Sequence, residues 1–292
     1  MTSRIWFNAI IAAGVGVAML TWLHPAEADF SVAGRGWNGL EQAAEEFDAM
    51  TVATPDEYES LAPPGTLILV PTVPVQPAAM QSISSFVRDG GILLLLDDYG
   101  HGNGVLEALD APLAFSGSPL VDPLHCDTNE TMPKATAAVS GIDGVDAPTL
   151  LLNHGSWLEV GDGVATWART SYFSYGDVNN NRQRDEKEPQ GPLPVGASWT
   201  LGRGKVVVLA DASLLINSML QRSDNLEVVS TFVQAPVYID QVHHAADTSL
   251  DRNKQRMERV RSLVSHPAAV SLVVILLVAA ALWYGWYARR PT

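Results

Sequence analysis

The sequence predicts an α/β domain on a mostly parallel sheet, flanked by two apolar segments. Three observations carry this. Leu67 to Val70 and Ile92 to Leu96 are short unbroken apolar runs, the pattern of strands buried on both faces. Between them Ala79, Met80, Ile83, Phe86 and Val87 recur at helical spacing, after Pro77 in a first turn and before Gly90-Gly91 as a stop. Strand, crossover helix and strand form a βαβ unit, whose strands lie parallel and adjacent or nearly so.

The other elements follow in order. Phe30 to Gly39 is glycine-rich and expected as a loop, with Asn38 positioned to cap a helix whose apolar face is Leu40, Ala43, Ala44 and Phe47. Thr51 to Ala53 suits a short strand and Asp56 to Leu61 a turn or short helix. Gly102-Asn103-Gly104 is expected as a loop before a short helix from Val105 to Leu109. Leu113 to Phe115 suits a strand, and Pro119 to Pro133 is expected to be irregular. Pro148 to Leu152 begins another strand. Val164 to Arg169 alternates as a strand does, with Phe173 and Tyr175 continuing it. Ser198 to Leu201 and Lys205 to Leu209, joined by Gly202-Arg203-Gly204, predict a hairpin. Asp211 is placed to cap a helix carrying Leu214 and Leu215, and Asn225 to Phe232 is the last helix of the domain.

The domain organisation expected is an N-terminal signal anchor or signal peptide over 1–28, an α/β domain over 29–236, a polar and basic linker over 237–266, and a transmembrane helix with a short basic tail over 267–292. The first apolar segment runs from Ile5 to Leu23, and Ala26-Glu27-Ala28 supplies a small-x-small cleavage pattern. The second is long enough to span a bilayer and carries Trp283, Tyr284, Trp286 and Tyr287 at its end. Arg4 puts the domain outside the cytoplasm. Five basic residues from Arg252 to Arg261 oppose that orientation, against Arg289 and Arg290 beyond the span. The cleavage pattern and the usual dominance of the first helix favour export.

Charge narrows the partners. From Asp29 to Asp251 there are 30 acidic and 10 basic residues, a net of −20. Such a surface repels nucleic acid and suits work at high salt, where self-repulsion is screened. Cys126 is the single cysteine, so an intrachain disulfide and a cysteine metal cluster are excluded.

The most specific local pattern runs from Asp177 to Glu188. Oxygen side chains fall at positions 1, 3, 5, 9 and 12 (Asp177, Asn179, Asn181, Asp185, Glu188), with the Gln183 carbonyl at position 7. This is the ligand schedule of a calcium loop, and Ca²⁺ is the cofactor it predicts. Arg182 stands where the motif needs glycine, and Pro189 follows at once, so a paired EF-hand is not expected. Asp97, Asp98 and His101 form a weaker constellation at a strand end, which His125 or His154 could join for hydrolysis or metal binding. A nucleophile elbow and a lysine-bearing phosphate loop are both missing from the sequence.

The segments GGILLLLDDYGHGNG, LLLNHG, SYFSYGDVNNNRQRDEKE and LGRGKVVVLADASLLINSML resemble a family of archaeal membrane proteins, best known from salt-loving archaea, classed as a domain of unknown function. The resemblance spans Asp29 to Phe232. It implies a three-layer, flavodoxin-like fold similar to class I glutamine amidotransferases and to auxiliary domains of gliding-motility and ABC-type transport systems. Asp97-Asp98-Tyr99 occupies the strand tip where such an amidotransferase has its cysteine, so the resemblance implies the fold without that activity. It also implies neighbours in envelope assembly, such as a MoxR-type ATPase and a von Willebrand-like protein. The expected function is a membrane-anchored, non-enzymatic binding or scaffold domain in transport or envelope assembly. The alternative is a divergent hydrolase using Asp97, Asp98 and His101.

Overall fold

The structure, a computed structural model, describes residues 29–142 and 147–244. At its centre is a nine-stranded sheet. Its strands in chain order are β1 (Met50–Val52), β2 (Thr66–Leu69), β3 (Ile92–Leu96), β6 (Lys134–Ala137), β7 (Thr149–Leu151), β9 (Ala165–Thr170), β11 (Pro194–Leu201), β12 (Gly204–Leu209) and β13 (Val237–Asp240). Short ribbons stand beside it: β4 (Leu113–Phe115) pairs with β8 (Leu158–Val160), and β5 (Leu120–Val121) with β10 (Tyr175–Gly176). The helices are α1 (Glu41–Glu46), α2 (Pro77–Arg88), α3 (Gly102–Ala108) and α4 (Asn225–Ser230), with 3₁₀ turns at Pro55–Ser60 and Ala212–Leu215.

The spatial order is β1-β13-β2-β3-β12-β11-β9-β6-β7. The first five strands run parallel and the remaining pairings are antiparallel. The sheet is therefore mixed rather than mostly parallel. The reversal comes at the β11–β12 hairpin, turned by Gly202 at φ +65°. At Gly204 a Cβ would fall 2.1 Å from the Val87 carbonyl oxygen, so the hairpin abuts the end of α2 and only glycine fits.

The βαβ unit forms as its sequence requires. Leu93 of β3 pairs with Leu67 of β2 on one side and Val206 of β12 on the other. Leu93 to Leu96 are buried, so both faces of the strand are covered. Helix α2 starts at Pro77, buries Ala79, Met80, Ile83, Phe86 and Val87, and packs on β3 and β12. Burial of a side chain such as Ile83 contributes about 1.5–3 kcal/mol.

Several expectations are corrected. Leu40, not Asn38, occupies the N-cap of α1, and the Asn38 amide is drawn to the Asp29 carboxylate instead. Gly102 to Gly104 form the first turn of α3, because Asp97 accepts the Gly102 N–H there. Phe173 and Tyr175 do not continue β9: the chain turns at Ser171, and Tyr175 joins the ribbon with Val121. Strands β6 and β8 carry too little apolar pattern to stand out. The largest correction concerns Val237–Asp240, assigned to the linker from sequence. They form β13, inserted between β1 and β2. Four residues before a polar stretch give little signal, and two neighbouring strands supply the missing register.

Among the described residues no helix is long and apolar enough to cross a membrane. The two spans expected within 1–28 and 267–292 lie outside the described residues.

Candidate functional site

Because β13, β2, β3 and β12 are parallel, their carboxyl ends share one edge, where open α/β sheets bind ligands. Two groups of buried carboxylates stand along it. The first comprises Asp97 and Asp98 after β3 and Asp211 after β12. Asp97 is 4% exposed and accepts the N–H groups of Gly100 (3.0 Å) and Gly102 (2.6 Å). A Cβ at Gly102 would lie 2.7 Å from Asp97 Oδ2, so glycine is needed for this cap. Burial raises the Asp97 carboxyl, and those N–H groups partly offset the rise.

Asp98 is half-buried and accepts the Tyr99 N–H at 2.6 Å. Burial pushes its carboxyl up to about 6, the Tyr99 N–H opposes the rise, and the Asp97 charge adds to it. Asp211 is fully buried and accepts the N–H groups of Asn153 (2.6 Å) and Ser213 (2.7 Å). Burial first, then the Asp98 charge, pushes it up to about 8. Between about pH 6 and 8 the two hold one proton between them. Tyr99 donates its O–H to the Gly155 carbonyl at 3.0 Å, and its phenol is raised by burial and by both aspartates.

The second group was missed in the sequence because it sits on β13. Asp240 is 1% exposed; it accepts the Tyr58 O–H at 2.5 Å and lies 3.2 Å from His243 Nδ1. His243 Nε2 accepts the Gln76 N–H at 3.3 Å, which leaves Nδ1 to carry the proton. Burial raises Asp240, but the hydrogen bonds from His243 and Tyr58 and the nearby imidazoles outweigh it, and its carboxyl lies below the usual range. Gln241 ties this end of the domain to its beginning, donating to Phe30 O (2.9 Å) and accepting from Val32 N (3.0 Å). Tyr58 lies in the 3₁₀ turn Pro55–Ser60, Asp240 ends β13 and His243 follows it, so finding the group in the sequence required recognising that strand.

Among the described residues no hydrogen bond joins the sequence-predicted acids and histidines, although His101 lies near enough to Asp97 to favour its charge. Asp97 spends both oxygens on backbone N–H groups, and His101, His125 and His154 are exposed. Among the described residues no three His, Cys, Asp or Glu side chains gather as a metal site. Cys126 lies in the loop after β5, bridged to Pro133.

The 177–188 loop curls on itself. Asp177 accepts the N–H groups of Asn181 and Arg182, each at 3.0 Å, and Glu188 accepts those of Val178 (2.9 Å) and Asp185 (3.2 Å). The amides of Asn179 and Asn181 both donate to Asp185 Oδ2. Gln183 N–H binds Asn181 Oδ1 at 2.7 Å. Arg182 takes φ +55°, the left-handed conformation the motif asks of glycine. The oxygens suit a hard cation, but the carboxylates now serve backbone N–H groups.

The β5–β10 ribbon carries this loop against the strand tips. Asp122, fully buried, holds the ribbon's loops by accepting from Leu124 N, His125 N and Ser171 Oγ. The result is a cavity of about 410 Å³ bounded by Tyr99, Leu120, Thr131, His154, Asn180 and Arg182.

A family model described as a domain of unknown function, DUF4350, matches residues 29–233. No curated protein matches the chain. Solved structures resemble it loosely. The mmIFT52 N-terminal domain is 15% identical, over 60% of this chain and 77% of that one, at a TM-score of 0.46. A cytoplasmic protein of Salmonella typhimurium LT2, STM1381, is 20% identical over 63% and 78%, at 0.40. The β-galactosidase of Bacillus circulans sp. alkalophilus is 13% identical over 57% of this chain and 23% of its own, at 0.31.

Proposed function

We propose that this chain, which belongs to the DUF4350 family of domains of unknown function, is a membrane-tethered, non-enzymatic binding domain that takes its partner or ligand at the carboxyl edge of the parallel strands. One observation carries the reading. The acids at the strand tips cap backbone N–H groups, while the cavity beside them is bounded by residues from five separate segments. A hydrolase needs a base within reach of a reacting proton, and among the described residues Asp97 and Asp98 hydrogen-bond to backbone N–H groups, with no hydrogen bond to His101, His125 or His154.

The resemblance to amidotransferase-like auxiliary domains supports a place in transport or envelope assembly at the cell membrane, with the domain outside the cytoplasm. The acidic surface supports protein or small-molecule partners over nucleic acid. Mild-detergent purification from native membranes is expected to recover the chain with a protein partner; recovery of the chain alone counts against an assembly role.

A second reading concerns the 177–188 loop. We propose that it takes Ca²⁺ with Asp177, Asn179, Asn181, Gln183, Asp185 and Glu188 as ligands, the bonds of Asp177 and Glu188 to backbone N–H groups giving way or adjusting. The left-handed Arg182 favours it, since the backbone already has the required turn. Millimolar calcium is expected to raise the melting temperature of the wild type and not of Asp177→Ala. Equal responses remove calcium from the function.

A further inference from the structure

We propose that the cavity bounded by Tyr99, His154 and Arg182 binds a small organic carboxylate, anchored by the Arg182 guanidinium. This rests on the reading that the carboxyl edge is a binding edge, and it names the ligand class.

Backbone conformation is the first observation. Seven non-glycine residues among those described have positive φ, and three of them bound this one cavity: His154 (+60°), Asn180 (+57°) and Arg182 (+55°). A left-handed residue other than glycine costs about 1–2 kcal/mol. At Arg182 the turn is held by Asp177, which accepts the Asn181 and Arg182 N–H groups. The chain spends local stability to present these side chains at one place.

The second observation is a missing acceptor. In this acid-rich domain the other described arginines all engage an acceptor: Arg35 with Glu41, Arg88 with Ser84, Arg169 with the Pro192 carbonyl, Arg184 with Gln190, Arg203 with Asp89 and Arg222 with Asp127. Among the described residues Arg182 is the arginine whose side chain makes no hydrogen bond or ion pair, although acids outnumber bases three to one from Asp29 to Asp251. A guanidinium is a planar fork that matches the two oxygens of a carboxylate.

Size and surroundings narrow the class. About 410 Å³ suits a small molecule and not a folded partner. Pro119, Leu120 and Val121 give an apolar wall, Tyr99 an aromatic one, and Thr131, His154 and Asn180 supply polar groups for the rest of the ligand. Asp177 in the wall, with Glu130 nearby, disfavours a dianion such as phosphate, while a monoanion meets one fork and one charge.

The test uses the full-length chain in detergent, with calorimetric titration of glutamate, glucuronate, glucose and inorganic phosphate. The comparison variant is Arg182→Gly, which keeps the turn because glycine accepts positive φ. Glutamate or glucuronate is expected to bind the wild type and to lose at least tenfold in affinity to Arg182→Gly, while the ligand-free melting temperature is unchanged or higher. Undiminished carboxylate binding by Arg182→Gly overturns the proposal. Glucose binding as tightly as glucuronate, or phosphate binding tighter than both, overturns the carboxylate assignment and leaves the binding edge standing. No binding by any of the four overturns it as well; the broader reading then survives if a protein partner still co-purifies and falls if none does.

Discussion

Two sets of buried aspartates along the carboxyl edge of the parallel strands meet opposite fates. Asp98 and Asp211 are pushed up to about 6 and about 8, whereas Asp240 is held below the usual carboxylate range. All are desolvated, so burial alone does not separate them. Their partners do. Asp211 receives two backbone N–H groups and faces another carboxylate, so its second neighbour opposes its charge. Asp240 receives a phenol O–H and lies beside two imidazoles: His243, Tyr58 and His244 all favour the carboxylate. The same edge thus carries one group that tends to hold a proton and one that tends to stay charged.

The most severe way to break this contrast is Asp240→Ala. It removes the carboxylate that accepts from both Tyr58 and His243, leaving the Tyr58 hydroxyl and His243 Nδ1, 3.0 Å apart, only each other as buried partners, and it loosens β13 at its end. We expect a loss of about 1–3 kcal/mol of unfolding free energy, the cost of leaving a buried donor short of its acceptor. Urea denaturation measures it; a loss below about 1 kcal/mol would mean that the network contributes little.

Next in size is pH. Asp98 and Asp211 are raised in the folded state, so their contribution is fully present below the unfolded value of 3.8 and is lost as pH rises through about 6 and about 8. Asp240 is lowered, so its contribution is present above 3.8 and is lost as pH falls through its folded value. His244, lowered by burial, adds to the acid limb, because the unfolded chain takes up the proton first as pH falls below 6.5. Each group changes stability by up to about 1.4 kcal/mol per pH unit within its window. Stability is expected to fall on both sides of a maximum. Denaturation across pH 2 to 9 checks this: Asp211→Asn should flatten the alkaline limb between about 6 and 8 and leave the acid limb below 3.8 in place. An unchanged alkaline limb would show that Asp211 is not the titrating group.

The contrast also explains what could be read in the sequence. The βαβ unit was legible because Leu67, Leu93 to Leu96 and the Ile83 face follow simple periods. The hairpin was legible through Gly202 and Gly204, and Asp211 through its position before Ser213. The Asp97–Asp98 pair was visible as a strand tip, but not its use as a set of caps, since Gly100 and Gly102 return only in three dimensions. Strand β13 was not legible. Its four residues pair with Met50 to Val52 and with Thr66 to Ile68, about 170 to 190 positions away, and no local period records that. With it went Asp240 and His243. The Asp177–Glu188 loop was legible as an oxygen pattern, yet the engagement of Asp177 and Glu188 with backbone N–H groups follows from the fold of the loop.

The smallest expected effect sharpens the comparison most, because it changes one charge and little else. In Asp98→Asn the side-chain oxygen still accepts the Tyr99 N–H, so the turn after β3 is kept. What disappears is the negative charge that helps push Asp211 up. If neighbouring charge matters beyond burial, the Asp211 carboxyl in this variant titrates at a lower pH than in the wild type, while Asp240 does not move. Carbon-detected NMR titration of the carboxyl groups reads both in one experiment. The variant should also gain stability above pH 6, by about 1 kcal/mol or less, since a half-buried charge is no longer paid for in the folded state. An Asp211 titration that stays in place would assign its rise to burial alone, and the two ends of the edge would then differ only in the hydrogen bonds that Tyr58 and His243 give to Asp240.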